Sequence, residues 1–276
     1  MSDGCDDYRR GLELLAAGNY SEGFALYEGR RGGINPVLNP AQQWPGLRCP
    51  EWQGEELSGK HVLVFGEQGF GDSIMFARFI PSLHALGATV TYVCGSGLER
   101  LFPNGHVARK RHDFPPGHYW SLVGSLPHKL GVALDTLPPP HPIDRAAQRH
   151  GGVGVVPSGR PTHENDANRS LDPQSAARLL ELGRDLRPEA TGARDFAETA
   201  DIIAALDLVI TVDTSVAHLA GSMGKAVWVL LPAHGVDWRW MRDRMDSPWY
   251  PSARLFRQGP AGEWPAVIAE VEAALT

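Results

Sequence analysis

Cysteine is scarce in this chain: Cys5, Cys49 and Cys94 are the three among 276 residues. They lie far apart, without metal-ligand spacing, and their odd count argues against a disulfide framework. That composition points to a reducing compartment, and the expected location is the cytoplasm. Long apolar runs are missing too, none approaching the roughly 18 residues that a membrane-spanning helix needs. The opening Met-Ser-Asp-Gly-Cys-Asp-Asp-Tyr-Arg-Arg is too acidic and polar to read as a secretory signal. There is no basic excess: the formal net charge is -6, with both signs spread along the chain, so no nucleic-acid partner is expected. What is present is ordinary for a buried core, with 42% hydrophobic and 21% charged residues.

Four regions differ in texture. Residues 1–34 carry two short helical patterns broken at Gly18-Asn19, with Gly11, Leu14, Gly18, Tyr20, Gly23 and Tyr27 as small and aromatic positions. This resembles a single tetratricopeptide (TPR) hairpin, whose small residues let two helices pack closely. One repeat cannot bury its own face, so it must dock on something, and a protein partner is one candidate. Residues 35–60 form a Gly/Pro/Asn-rich connector whose Trp44 and Trp52 favour draping over a domain. Residues 61–150 open with the strand His61-Val-Leu-Val-Phe, a glycine loop, a helix opened by Asp72 and closed by Gly87, and the strand Val90–Cys94. Within this region 103–150 reads as short strands and loops. Residues 151–276 begin with a strand at Gly152-Val-Gly-Val-Val and continue with helices over 173–182 and Thr199–Leu206. Strands at Leu208–Val212 and Ala226–Leu231 enclose another helix, and a last helix falls near 263–275. Alternating β and α elements in two blocks predict an α/β protein with two doubly wound, Rossmann-like parallel sheets facing a cleft.

Three segments could carry chemistry. The first is Val209-Ile-Thr-Val-Asp213-Thr214-Ser215-Val-Ala-His218, an apolar strand running into a polar helix start. Asp213, Thr214 and Ser215 are all good N-caps. A helix that begins at the carboxyl end of a parallel strand offers free N–H groups and a positive dipole end, a seat for a phosphate. His218, one turn in, reads as a phosphate or ribose donor rather than a core histidine. The second is the polar loop Pro157–Arg169 on the same rim of its sheet. Its Arg160, Asn168 and Arg169 suit a diphosphate, since guanidinium forks match phosphate oxygens, although a solvated loop has the same composition. The third is Gly66-Glu-Gln68-Gly69-Phe-Gly71-Asp72. Its glycines lack the G-x-G-x-x-G order, so nicotinamide dinucleotide binding is not expected. Gly69 and Gly71 let the backbone approach a ligand, and Asp72 is either a helix cap or a general base, the spacing alone favouring the cap. Trp238, Trp240, Trp249 and Tyr250 fit core packing better than ligand stacking.

Together these segments resemble glycosyltransferase family nine, the heptosyltransferase-like group, in its TPR-associated branch. The resemblance is carried by Gly66-Glu-Gln-Gly-Phe-Gly-Asp-Ser-Ile-Met-Phe, Pro157-Ser-Gly, Asn165-Asp, Asn168-Arg-Ser and Asp195-Phe-Ala-Glu-Thr-Ala. It continues in Val212-Asp-Thr-Ser-Val-Ala-His-Leu-Ala-Gly, and in Asp237-Trp-Arg-Trp through Arg254-Leu-Phe-Arg-Gln. It implies a GT-B-like fold and a metal-independent, inverting transfer from a nucleotide-diphosphate sugar to a glycan, lipid-linked or protein acceptor. The nucleotide sugar is a substrate, so no cofactor is implied. By position, Asp72 matches the general base, with Gln68, Gly69 and Gly71 in its loop. Thr214, Ser215 and His218 match the donor-diphosphate seat, with Ser158 and Arg169 on the facing loop, and Asp213, Arg160 and Asn168 join the expected donor side by residue type alone. The stretch between Leu182 and Asp195 is shorter than the family pattern. A binding or interaction module that has lost turnover is the competing expectation.

Overall fold

The computed structural model describes residues 4–32, 44, 46–102, 105–106, 115–146 and 150–276. The chain divides into two units, residues 1–141 and 142–276.

The first unit opens with helices α1 (Gly4–Ala16) and α2 (Tyr20–Tyr27), followed by a 3-10 turn over Glu28–Arg31. The helices touch because both contact positions are glycine. A methyl on Gly11 would lie 2.9 Å from the Tyr27 backbone nitrogen, and one on Gly23 would lie 2.8 Å from the Leu15 side chain. The expected helical hairpin is present over the described residues 4–32. Next come β1 (His61–Phe65), α3 (Phe70–Phe76), α4 (Ile80–Ala85), β2 (Thr89–Val93), β3 (Gly105–His106), β4 (Tyr119–Leu122) and α5 (Leu126–Lys129). The strands pair in parallel in the order β3-β2-β1-β4. The region over 103–150 thus holds two short strands and a short helix among its described residues. The helix expected from Asp72 to Gly87 is not continuous. A 3-10 turn at Ala77–Phe79 separates α3 from α4, and Pro81 in the first turn of α4 has no N–H to extend a ladder backwards. The connector is draped as expected where it is described: Trp52 is buried, and its N–H donates to the Trp120 carbonyl at 2.8 Å beside β4.

The second unit contains β5 (Val153–Val156), α6 (Asp166–Arg169), α7 (Pro173–Glu181), β6 (Arg184–Asp185), α8 (Pro188–Thr191), α9 (Phe196–Ala204), β7 (Leu208–Val212), α10 (Ser215–Ser222), β8 (Ala226–Leu231), β9 (Ala253–Arg257) and α11 (Trp264–Leu275). Its parallel order is β6-β5-β7-β8-β9. The chain steps from β5 outward to β6, then returns past β5 to β7. Right-handed crossovers therefore place α7 on one face and α9 and α10 on the other, and strand order reverses between β5 and β7. Val155, Ile210, Val212, Leu230 and Phe256 form one core with Leu179 of α7 and Val267, Ile268 and Val271 of α11. The helix expected at Thr199 starts three residues earlier, because the Asp195 carboxylate accepts the Glu198 N–H at 2.9 Å and caps α9 there. No helix among the described residues is long and apolar enough to cross a membrane.

Candidate functional site

The switch point of the second sheet is where a ligand crevice forms in such folds, outside the carboxyl ends of β5 and β7. At the end of β7, Thr214 is the N-cap of α10 and its hydroxyl accepts the Val216 N–H at 3.3 Å. Of the three candidate caps Thr214 alone serves: Asp213 precedes it and Ser215 is the first helical residue. The Thr214 hydroxyl also pairs with that of Thr211 at 3.1 Å, which fixes the cap against the strand.

The loop after β5 closes over the same rim. Leu171 N–H donates to the Pro157 carbonyl, and Gly159 N–H donates to the Ser170 hydroxyl at 2.9 Å. Arg169 reaches across, its Nη1 donating to the Asp213 carbonyl at 2.9 Å and its Nε to Asp166 at 3.1 Å. Gly159 is needed here, since a methyl would lie 2.5 Å from the Arg169 guanidinium. Asn168 donates to Asn165 at 2.7 Å, and Asn165 donates to the Gly235 carbonyl at 2.7 Å. Gly235 has φ +68, a left-handed conformation suited to glycine. Arg160 is exposed. Ser158 turns instead toward Arg187, which donates to it at 3.5 Å.

Asp213 sits in an unusual field. Burial first, then the neighbouring Asp237 carboxylate, push its pKa up to about 7, against the Trp240 indole, Arg239 and Arg169, which favour the charged form. Asp237 is held by Arg239, whose backbone N–H donates to it at 3.1 Å and whose guanidinium pairs with it. Two carboxylates and two guanidinium groups therefore meet beside the α10 start. The Trp240 Nε1 is fully buried there, beside the Asp213 carboxylate. Residue-type reasoning placed neither Asp237 nor Arg239 in the site. Their only signal was the Asp237-Trp-Arg-Trp motif.

His218 does not project from the helix start. It is buried, its Nδ1 is 2.9 Å from the Tyr250 hydroxyl, and its ring stacks on Trp240 at 5.4 Å between centroids. Trp238, Trp240, Trp249 and Tyr250 are buried as expected of core aromatics.

In the first unit, Asp72 lies in the first turn of α3 rather than opening it. Gly69 is the N-cap, and the Asp72 carboxylate accepts the Gly69 N–H at 2.8 Å. Gln68, just before, takes φ +58, which a residue with a side chain rarely adopts. Its amide oxygen accepts from the Tyr27 hydroxyl at 3.0 Å. Gly71 follows inside the turn. Gln68 and Gly69 thus end the loop after β1, and Gly71 and Asp72 belong to the first turn of α3.

Each unit carries a doubly wound parallel sheet, and the chain resembles solved GT-B-like glycosyltransferases at the level of fold. The solved structures that resemble the chain include the iron-containing dodecameric glycosyltransferase TibC of enterotoxigenic Escherichia coli. It is 14% identical with a TM-score of 0.52, covering 80% of this chain and 78% of that one. TibC in complex with ADP-D-β-D-heptose is 16% identical with a TM-score of 0.50, covering 80% and 79%. The family 9 glycosyl transferase of Veillonella parvula is 13% identical with a TM-score of 0.46, covering 81% and 91%. Among curated proteins the chain is 27% identical over 333 residues to Protein FlbA of Caulobacter vibrioides, covering 97% of this chain and 54% of that protein. The chain spans about half the length of the curated relative it matches. No protein-family model matches it.

Proposed function

We propose that the chain is a cytoplasmic, metal-independent, inverting glycosyltransferase whose second unit binds the diphosphate of a nucleotide sugar. The observation that carries this reading is the Thr214-capped start of α10, joined through the Asp213 carbonyl to Arg169. The positive dipole end of α10 at that start and nearby guanidinium groups stabilise the negative charge that builds on a leaving diphosphate. Ser215 supplies a hydroxyl at the first helical position, and His218 holds the helix through Tyr250. In the first unit, Asp72 accepts the proton of the acceptor hydroxyl. As the acceptor oxygen bonds to the anomeric carbon, the carbon–phosphate oxygen bond breaks and its electron pair leaves with the nucleoside diphosphate. The acceptor is a glycan, a lipid-linked saccharide or a protein.

A second reading is a nucleotide- or partner-binding module without turnover. The inward lock of His218 and the engagement of Asp72 with Gly69 favour it. Calorimetric titration with ADP, UDP and GDP separates the outcomes. The transferase and a nucleotide-binding module both expect one nucleotide to bind and Ser215→Ala or His218→Ala to weaken it at least several-fold, whereas a partner-binding module expects none to bind. In the transferase reading, Asp72→Asn retains binding and loses transfer. Failure of every nucleotide to bind sinks the transferase reading.

A further inference from the structure

The N-terminal hairpin and the Asp72 loop are joined by buried charge. Arg30, in the 3-10 turn after α2, donates from Nε and Nη2 to the two Glu67 oxygens at 3.0 and 2.8 Å. Both side chains are only 2% exposed. Burial alone would depress the Arg30 pKa, but Glu67 and Glu28 hold it above its ordinary value, so the guanidinium stays charged. The Glu67 carboxylate also accepts the Gly124 N–H at 2.8 Å, and Arg30 Nη2 donates to the Ser125 hydroxyl at 2.8 Å. A methyl on Gly124 would lie 2.6 Å from that carboxylate, so the pair sits in a fitted slot. One residue on, Tyr27 holds Gln68 by its hydroxyl, and its ring packs on Phe76 of α3 at 6.3 Å. Phe76 stands one turn after Asp72 on the same helix. Glu67 and Gln68, the two residues just before Gly69, are thus gripped from the hairpin side, and Gln68 holds the backbone there in an uncommon conformation.

We propose that Arg30, assisted by Tyr27, is a positioning residue: it holds the Glu67–Gly69 loop so that Gly69 N–H meets the Asp72 carboxylate. This makes the hairpin part of the site rather than a detachable docking module. Its catalytic consequence rests on the reading of Asp72 as the base, but its structural content does not. The test uses the full chain without substrate, in Arg30→Met, Arg30→Lys and Tyr27→Phe. Readouts are amide hydrogen exchange at Gly69, the NMR titration midpoint of the Asp72 carboxyl, and ADP binding by calorimetry.

The expected result is Gly69 exchange about tenfold faster or more and a displaced Asp72 midpoint, with ADP affinity unchanged. Arg30→Lys keeps the charge but loses the two-pronged contact, so it should fall between wild type and Arg30→Met. Should Arg30→Met not fold, Tyr27→Phe and Arg30→Lys decide the matter, since neither leaves a buried carboxylate unpaired. Unchanged Gly69 exchange and an unchanged Asp72 midpoint in the folded variants overturn the proposal. With ADP-heptose as donor, loss of positioning should lower kcat by about 10- to 100-fold at constant donor KM. Turnover surviving Asp72→Asn would remove the base reading and leave the exchange measurements to judge Arg30.

Discussion

Gly221 lies in α10, and replacing it with alanine tests how the helix is held. A methyl there would sit 2.5 Å from Cγ and Cδ1 of Tyr250, about 1 Å inside ordinary van der Waals contact. Tyr250 cannot easily retreat. It is fully buried, with His218 at 5.7 Å and Trp240 at 6.2 Å between ring centroids. In an exposed helix Gly→Ala stabilises by about 1 kcal/mol. Here overpacking costs about 1–3 kcal/mol, and a displaced Tyr250 weakens the hydroxyl contact to His218, worth about 1 kcal/mol. The net expectation is destabilisation by about 1–3 kcal/mol, a fall in Tm of roughly 3–10 °C. Urea unfolding measures it, with Tyr250→Phe as the control that removes the hydroxyl and keeps the ring. Gly221→Ala should lose more stability than Tyr250→Phe and also weaken ADP binding. A variant as stable as the parent, or more so, refutes the argument that Tyr250 fixes α10.

Asp213 predicts a pH dependence. Its folded pKa of about 7 lies above the ordinary 3.8, so its contribution to stability is complete below 3.8 and lost as pH rises through about 7. Urea midpoints should fall over that interval more steeply in the parent than in Asp213→Asn, and parallel slopes would contradict it. Thr214→Ala removes the cap of α10 and should cost about 1 kcal/mol in thermal unfolding, together with a weaker nucleotide. Arg30→Met leaves the Glu67 carboxylate buried and should cost about 3–5 kcal/mol, whereas Arg30→Met with Glu67→Leu should recover much of that loss. A simple sum of the single effects in that double-mutant cycle would show that the two groups do not interact.

The core of the second unit was legible because its signals are local. Leu208–Val212 and Ala226–Leu231 are strands over the expected residues, since uninterrupted apolar runs suit strands buried on both faces. The choice among Asp213, Thr214 and Ser215 was not legible. It depends on the Thr211 hydroxyl, which meets Thr214 only once the strand is formed. The start of α3 was misplaced for a related reason: as the third helical residue, Asp72 reaches back to cap from inside. His218 was expected to face a ligand because its helix start does, yet the partner that turns it inward, Tyr250, is 32 residues away. The Arg30–Glu67 pair spans 37 residues. No periodicity marks such contacts, because they answer to burial in the folded chain and not to local spacing.

The hairpin shows what that difference does. A single pair of short helices buries too little to stand alone, so docking could be expected from sequence, but the manner of docking could not. An apolar face would have satisfied the need for burial and left the βα loop untouched. Besides the apolar contact of Tyr27 with Phe76, the turn after α2 carries Arg30 and Arg31, and Arg31 pairs with Glu51 of the connector, which also accepts from Lys129. Burying such pairs gains little net stability over apolar packing, but breaking one is costly. Their effect is to admit one geometry. Glu67 can be buried only where Arg30 and the Gly124 N–H meet it, and that place also fixes Gln68, Gly69 and, through Gly69, the Asp72 carboxylate.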